Sequence, residues 1–148
     1  MEPNENNMGY LLNKAALLLK WDLNKKLNEY ELTATQWAVL RDLHNQEMLP
    51  EEARTITPAH VAERLLADRP TISGVIDRLS KKGLLRIERN PADRRSQLLF
   101  LTPEAGSIFP RLVQDTDITL EQALQGLSAE QIKQAKEVLL TMIRNLES

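Results

Sequence analysis

Apolar positions recur every three to four residues over most of this 148-residue chain and give way to strict alternation at one place. From about Met8 to Tyr30 the pattern predicts a first helix with more apolar residues than one face can hold. Leu11, Leu12, Ala15, Ala16, Leu17, Leu18, Leu19, Trp21, Leu23 and Leu27 wrap much of its circumference. Such a helix is buried on more than one side, as a central core element or as one shared with a second subunit. Its place at the end of a short chain favours the second. Thr33 with Gln36 forms a capping-box pattern that opens helix two, and Trp37, Leu40 and Leu43 make its buried stripe. A polar, acidic connection containing Pro50 follows from Asn45 to Thr55. Thr57 with Pro58 starts helix three, with Val61, Leu65 and Leu66 expected on its inner side.

The segment from Asp68 to Thr102 carries the most information. Asp68 is a good N-cap and Pro70 falls in the first turn, where a missing N–H costs little. Ile72, Val75, Ile76 and Leu79 follow at i, i+3, i+4 and i+7, leaving Thr71, Ser73, Gly74, Asp77, Arg78 and Lys81 on the other faces. Gly83 stops this fourth helix after Lys81-Lys82, at the end where its dipole favours cations. Leu85 and Ile87 then alternate with Arg86 and Glu88 as a strand, and Leu98 to Leu101 return as a second. Asn90 to Ser96 between them has turn chemistry and the adjacent pair Arg94-Arg95. Thr102 with Pro103 begins a fifth helix reaching about Gln125, and Gly126 breaks it. Ser128 and Gln131 form another capping box before Ile132, Ala135, Val138, Leu139, Met142, Ile143 and Leu146, an amphipathic last helix. The predicted order is α-α-α-α-β-β-α-α: a mainly α chain with one small β-hairpin.

Charge sharpens this picture when it is read locally. The formal net charge is only -2. From Arg69 to Arg95, however, eight basic residues stand against three acidic ones (Asp77, Glu88, Asp93), and the remainder holds eleven basic against eighteen acidic. One anion-facing surface on an acidic body is the expected result. A helix followed by a basic-tipped hairpin suits a nucleic-acid grip, with the helix in a major groove and the tip in a minor groove or on the backbone. Thr71 and Ser73, near the helix N-terminus, are candidates for base or phosphate contact. Arg78, farther along, is read as a phosphate anchor. Arg86 and Arg89 are either backbone contacts or solvated strand ends.

Arg69-Pro-Thr-Ile-Ser-Gly-Val-Ile-Asp-Arg-Leu-Ser-Lys-Lys-Gly-Leu-Leu resembles the recognition helix of the MarR family of bacterial transcriptional regulators. Arg89-Asn-Pro-Ala-Asp-Arg-Arg-Ser, followed by Leu101-Thr-Pro-Glu-Ala-Gly106, is similar to that family's wing and the entry to its next helix. Leu32 to Leu40 and Val61 to Leu65 resemble its second and third helices. The resemblance implies a winged helix-turn-helix over about residues 33–102, with about 8–30 and 103–148 as dimerisation helices of a single domain. It also implies a homodimeric repressor on a double-stranded DNA operator, released by a small lipophilic or phenolic ligand. A two-fold dimer calls for pseudo-palindromic half-sites ~10 base pairs apart. Asp93 and Arg95 fall where the resemblance implies a paired acid and arginine on the wing, and Arg94 is an equal candidate for that arginine. Gly74 stands where many relatives have a large polar residue, at a helix-propensity cost of ~1 kcal/mol against alanine. That glycine signals either a lost base contact or close approach to a neighbouring helix or to the DNA backbone. The Asn45–Thr55 connection is several residues longer than the family's usual link. Trp21, Tyr30 and Trp37 lie on helices able to line a ligand crevice, with core packing as their ordinary role.

Other classes are poorly supplied. The chain has no cysteine, so disulfides, thiolate metal sites and thiol redox sensing are excluded. Its two histidines, His44 and His60, sit on different predicted helices, and no glycine-rich phosphate loop is present, so neither an enzyme nor a bound cofactor is expected. The start of the chain is unlike a signal peptide, and no apolar run approaches the ~20 residues of a membrane span. A soluble, cytoplasmic protein is expected. The alternative on the same fold is a winged helix that binds protein in place of DNA, for which Arg94 and Arg95 have no electrostatic use.

Overall fold

The computed structural model describes residues 3–147. Six helices and one hairpin follow the expected order: α1 (Met8–Leu27), α2 (Ala34–Glu47), α3 (Pro58–Leu65), α4 (Arg69–Lys81), β1 (Leu85–Arg89), β2 (Gln97–Leu101), α5 (Pro103–Ala123) and α6 (Ala129–Glu147). Local capping chemistry sets most of the boundaries. Gln36 N–H donates to Thr33 Oγ1 and Thr33 N–H to Gln36 Oε1, both at 3.1 Å, closing the predicted box on α2. Ser128 and Gln131 do the same for α6, at 2.9 and 3.1 Å. Thr57, Asp68 and Thr102 cap α3, α4 and α5, each ahead of a proline in the first turn.

The core lies where α2, α3, α4, the hairpin and the first half of α5 meet. Leu40, Leu43, Val61, Ile72, Leu79, Leu99 and Leu112 are all buried there. The two strands pair antiparallel, Leu85 opposite Leu101 and Arg89 opposite Gln97. Thr102 fastens the hairpin's return to the end of α4: its hydroxyl donates to Gly83 O at 2.7 Å and its N–H to Leu84 O at 3.2 Å. A polar seam joins α1 to α5. Lys26 donates to Thr119 Oγ1 at 2.6 Å, Thr119 donates to Asp22 at 2.5 Å, and Asp22 also pairs with Lys26. Lys26 first, then Thr119, holds the Asp22 carboxyl below its ordinary pKa. Tyr30 closes the seam by donating to Asp115, and burial with that partner pushes its phenol upward.

Three sequence expectations change. Leu66 does not line the inner side of α3: it leaves the helix at φ 53° and is 93% exposed. The connection after α2 starts at Met48, because Asn45–Glu47 continue the helix, and it contains a short 3-10 turn at Glu51–Ala53. It is also tied down. Arg54 donates to Leu49 O and Glu47 O at 2.9 Å, Thr55 N–H donates to Gln46 Oε1 at 2.9 Å, and Arg64 donates to Thr55 Oγ1 at 2.6 Å. Trp21 is not in the core. It is 60% exposed, on the same open flank as Leu17 and Leu18. The apolar face of α6 is equally uncovered, with Val138, Leu139, Leu140, Ile143 and Leu146 all exposed.

Candidate nucleic-acid interface

Two elements build this surface: the N-terminal half of α4 and the hairpin tip. Asp68 accepts from Thr71 N–H at 2.7 Å and from its hydroxyl at 2.9 Å. Those bonds lower the Asp68 pKa and square off the start of α4. They also commit the Thr71 hydroxyl hydrogen to the cap, leaving that oxygen only as an acceptor for anything outside. Ile72, Val75, Ile76 and Leu79 are buried, which turns Ser73, Asp77 and Arg78 outward.

The tip is ordered by its own backbone. Asn90 Oδ1 accepts from Ala92 N–H at 3.0 Å, Asp93 Oδ1 accepts from Arg95 N–H at 3.0 Å, and Asn90 N–H reaches Ser96 O at 3.1 Å. Asp93 thereby shapes the turn as well as facing Arg95, whose Nε lies 3.6 Å from the same carboxylate. Arg95 is 94% exposed, so that pair contributes little to stability. Between α4 and the wing lies a cleft of about 690 Å³, lined by Arg69 and Ser73 on one side and by Arg89, Asp93, Arg94 and Arg95 on the other. Pro58 and Ala59 form part of its wall, and Gln97 faces in from β2. Four guanidinium groups around one open cleft make a site for an anion.

A family model described as the MarR family matches residues 32–97, the stretch from the start of α2 to the second strand. The same fold recurs in solved MarR-family regulators across more than nine-tenths of the chain. Residues 32–97 make up a MarR-family domain. Members of the MarR family are transcriptional regulators and not enzymes. Among solved structures, the chain resembles the S. aureus MepR–DNA complex at 22% identity, TM-score 0.82, with 94% of this chain and 98% of that one covered. It resembles CouR from Rhodococcus jostii RHA1 bound to p-coumaroyl-CoA at 22% identity, TM-score 0.81, with 96% and 95% covered. A probable transcriptional regulator from Pseudomonas aeruginosa matches at 25% identity, TM-score 0.78, with 93% and 98% covered.

Within this MarR-family fold, the residues singled out from sequence divide into groups. Arg69, Ser73, Arg89, Asp93, Arg94 and Arg95 converge on the cleft. Thr71 and Arg78 stay on α4 outside it. Arg86 stands apart: it pairs with Glu88 and lies over the Phe100 ring, 4.6 Å from its centroid. In the strand pairing Arg86 sits directly opposite Phe100, farther from the tip than Arg89, which sits opposite Gln97. Lys82, counted in the basic surface, is partly spent inside the fold, donating to Glu31 O. Pro58, Ala59 and Gln97 were missed; the register of Gln97 opposite Arg89 is the one signal that would have pointed to a lining residue. The histidines carry no chemistry of note. His44 stacks on Phe109 with centroids 3.9 Å apart, and His60 Nδ1 lies 2.6 Å from Thr57 Oγ1. Among the described residues no group of three or more His, Cys, Asp or Glu is placed to hold a metal, and no helix is long and apolar enough to cross a membrane.

Proposed function

We propose that this chain is a homodimeric, sequence-specific DNA-binding regulator that represses transcription from pseudo-palindromic operators. The α4 helix enters the major groove, and the wing tip lies along the adjoining minor groove and backbone. The observation that carries this reading is the cleft between α4 and the wing, with Arg69, Arg89, Arg94 and Arg95 around it on an otherwise acidic chain. MepR, solved as a DNA complex, supports the partner class. The uncovered apolar flanks of α1 and α6 support self-association. CouR, solved with p-coumaroyl-CoA, supports release by a small organic ligand, which we take to be lipophilic or phenolic. Such a ligand need only prefer a conformer in which the two α4 helices miss successive grooves. Trp37 packs on Phe109 at 5.1 Å, Tyr30 is held by Asp115, and Trp21 lies on the α1 flank that a second copy would cover, so none of the three is assigned to the ligand.

The test is fluorescence anisotropy against DNA from upstream of the protein's own gene, beside a scrambled duplex, over a salt series. Preferential binding that weakens steeply with salt is expected. Replacing both tip arginines (Arg94→Ala with Arg95→Ala) should weaken it tenfold or more, about 1.4 kcal/mol, and flatten the salt slope. An absence of binding to any duplex at low salt would favour a protein-binding winged helix.

A further inference from the structure

The outer face of α4 contains a glycine that the fold does not require. A Cβ built on Gly74 would meet only Arg78 Nη1, at 3.9 Å, an ordinary van der Waals separation. No neighbouring helix approaches it, and its φ is not positive; the glycines with positive φ are Gly83 and Gly126. Glycine within a helix is destabilising, so its presence here has no origin inside the chain. The vacancy faces outward, beside Ser73 and Asp77, where a hollow of about 310 Å³ runs on toward Gln97.

Arg78 occupies the next turn on the same face. Helical side chains lean toward the N-terminus, and the Arg78 guanidinium follows that lean back over the empty position. Its neighbours are otherwise engaged, Asp77 with Lys81 at 4.0 Å, and Arg78 has no ion pair among the described residues. A long arginine that started too far along the helix to meet bases thus carries its charged fork back over the gap at Gly74, beside the exposed Ser73 and Asp77.

We propose that Gly74 and Arg78 form one base-reading element. The missing side chain lets α4 sit close to the major-groove floor, and the Arg78 guanidinium, folded over the gap, donates two hydrogen bonds to O6 and N7 of one guanine in each half-site. This assignment replaces the phosphate-anchor role expected for Arg78 and rests on the DNA-binding reading above.

Duplexes selected from a random library by the wild-type protein supply the probe, together with versions in which each base pair is replaced in turn. Arg78→Lys keeps the charge but not the planar fork. It should lose about 10- to 100-fold on the selected duplex, as Arg78→Ala does, and both should stop discriminating at one G·C pair per half-site while still discriminating elsewhere. A phosphate anchor behaves otherwise. Lysine would then retain most of the affinity, and alanine would weaken all duplexes alike with a shallower salt slope, which overturns the proposal. Gly74→Ala should melt at a higher temperature yet bind the selected duplex about tenfold more weakly. A variant that melts higher and binds as the wild type does overturns the role of Gly74. Failure of the wild type to enrich any duplex would overturn the DNA-binding reading itself, and this assignment with it.

Discussion

Leu66 is the most conspicuous single residue in the fold. The N–H of Leu66 reaches Glu63 O at 3.3 Å and that of Ala67 reaches Ala62 O at 3.0 Å, a Schellman ending for α3. The same pair of bonds recurs after α4, where Gly83 and Leu84 reach Ser80 O and Leu79 O, both at 3.0 Å. Glycine takes the left-handed position in one case, at φ 77°, and leucine in the other, at φ 53°. An L-residue pays about 1–2 kcal/mol for that conformation. Leu66→Gly should therefore raise the unfolding free energy by about 0.5–1 kcal/mol, the gain reduced by the extra freedom of glycine in the unfolded chain. Urea denaturation checks it; a loss of stability would mean that the leucine side chain has a partner outside its own chain. The contrast also explains an error of sequence reading. Gly83 announces its conformation, whereas Leu66 continues an apolar period and conceals it.

At the level of elements, caps were legible and clamps were not. Thr33, Thr57, Asp68, Thr102 and Ser128 act within three residues of themselves, so residue type and spacing locate each helix start. Arg64 could not be read that way. Its guanidinium grips Asp42 through two bonds of 2.8 Å, 22 residues away, and holds Thr55 as well, so it fixes α3, α2 and the long connection together. The Asp42 partner holds the Arg64 pKa above its ordinary value. The candidate site divides in the same manner. Arg94 and Arg95 were evident from turn chemistry, and Ser73 from helical period, but the wall residues Pro58 and Gln97 meet them only through the tertiary fold. The α4 cap gives a prediction in pH. The Asp68 pKa is lowered from 3.8 in the folded state, so its contribution is complete above that value and lost as pH falls through the depressed one. Asp68→Asn keeps a capping oxygen without the charge. Its melting temperature should lie below that of the wild type at neutral pH, and the gap should close on acidification; a gap that does not change with pH would contradict this assignment.

For the whole molecule, the decisive feature is what the chain leaves uncovered. The long end helices present Leu17, Leu18 and Trp21 on one flank and Val138, Leu139, Leu140 and Ile143 on another, while the winged head has a buried core of its own. Sequence showed the surplus of apolar residues in α1 directly, but not that α6 would bury none of its own within the chain. On the homodimer reading, sedimentation should give about twice the 16.9 kDa of one chain. Leu139→Glu with Ile143→Glu, one turn apart on α6, should weaken self-association by about two orders of magnitude and reduce operator affinity with it. Unchanged sedimentation would show that this flank is not the interface. A further consequence concerns copy number. Chains that cover one another's bare flanks gain stability by mass action, and while pairs are scarce their abundance follows roughly the square of the chain concentration. On the repressor reading, a gene silenced by such pairs answers to the amount of regulator with a threshold, staying open through small fluctuations and closing sharply once synthesis outruns dilution by growth.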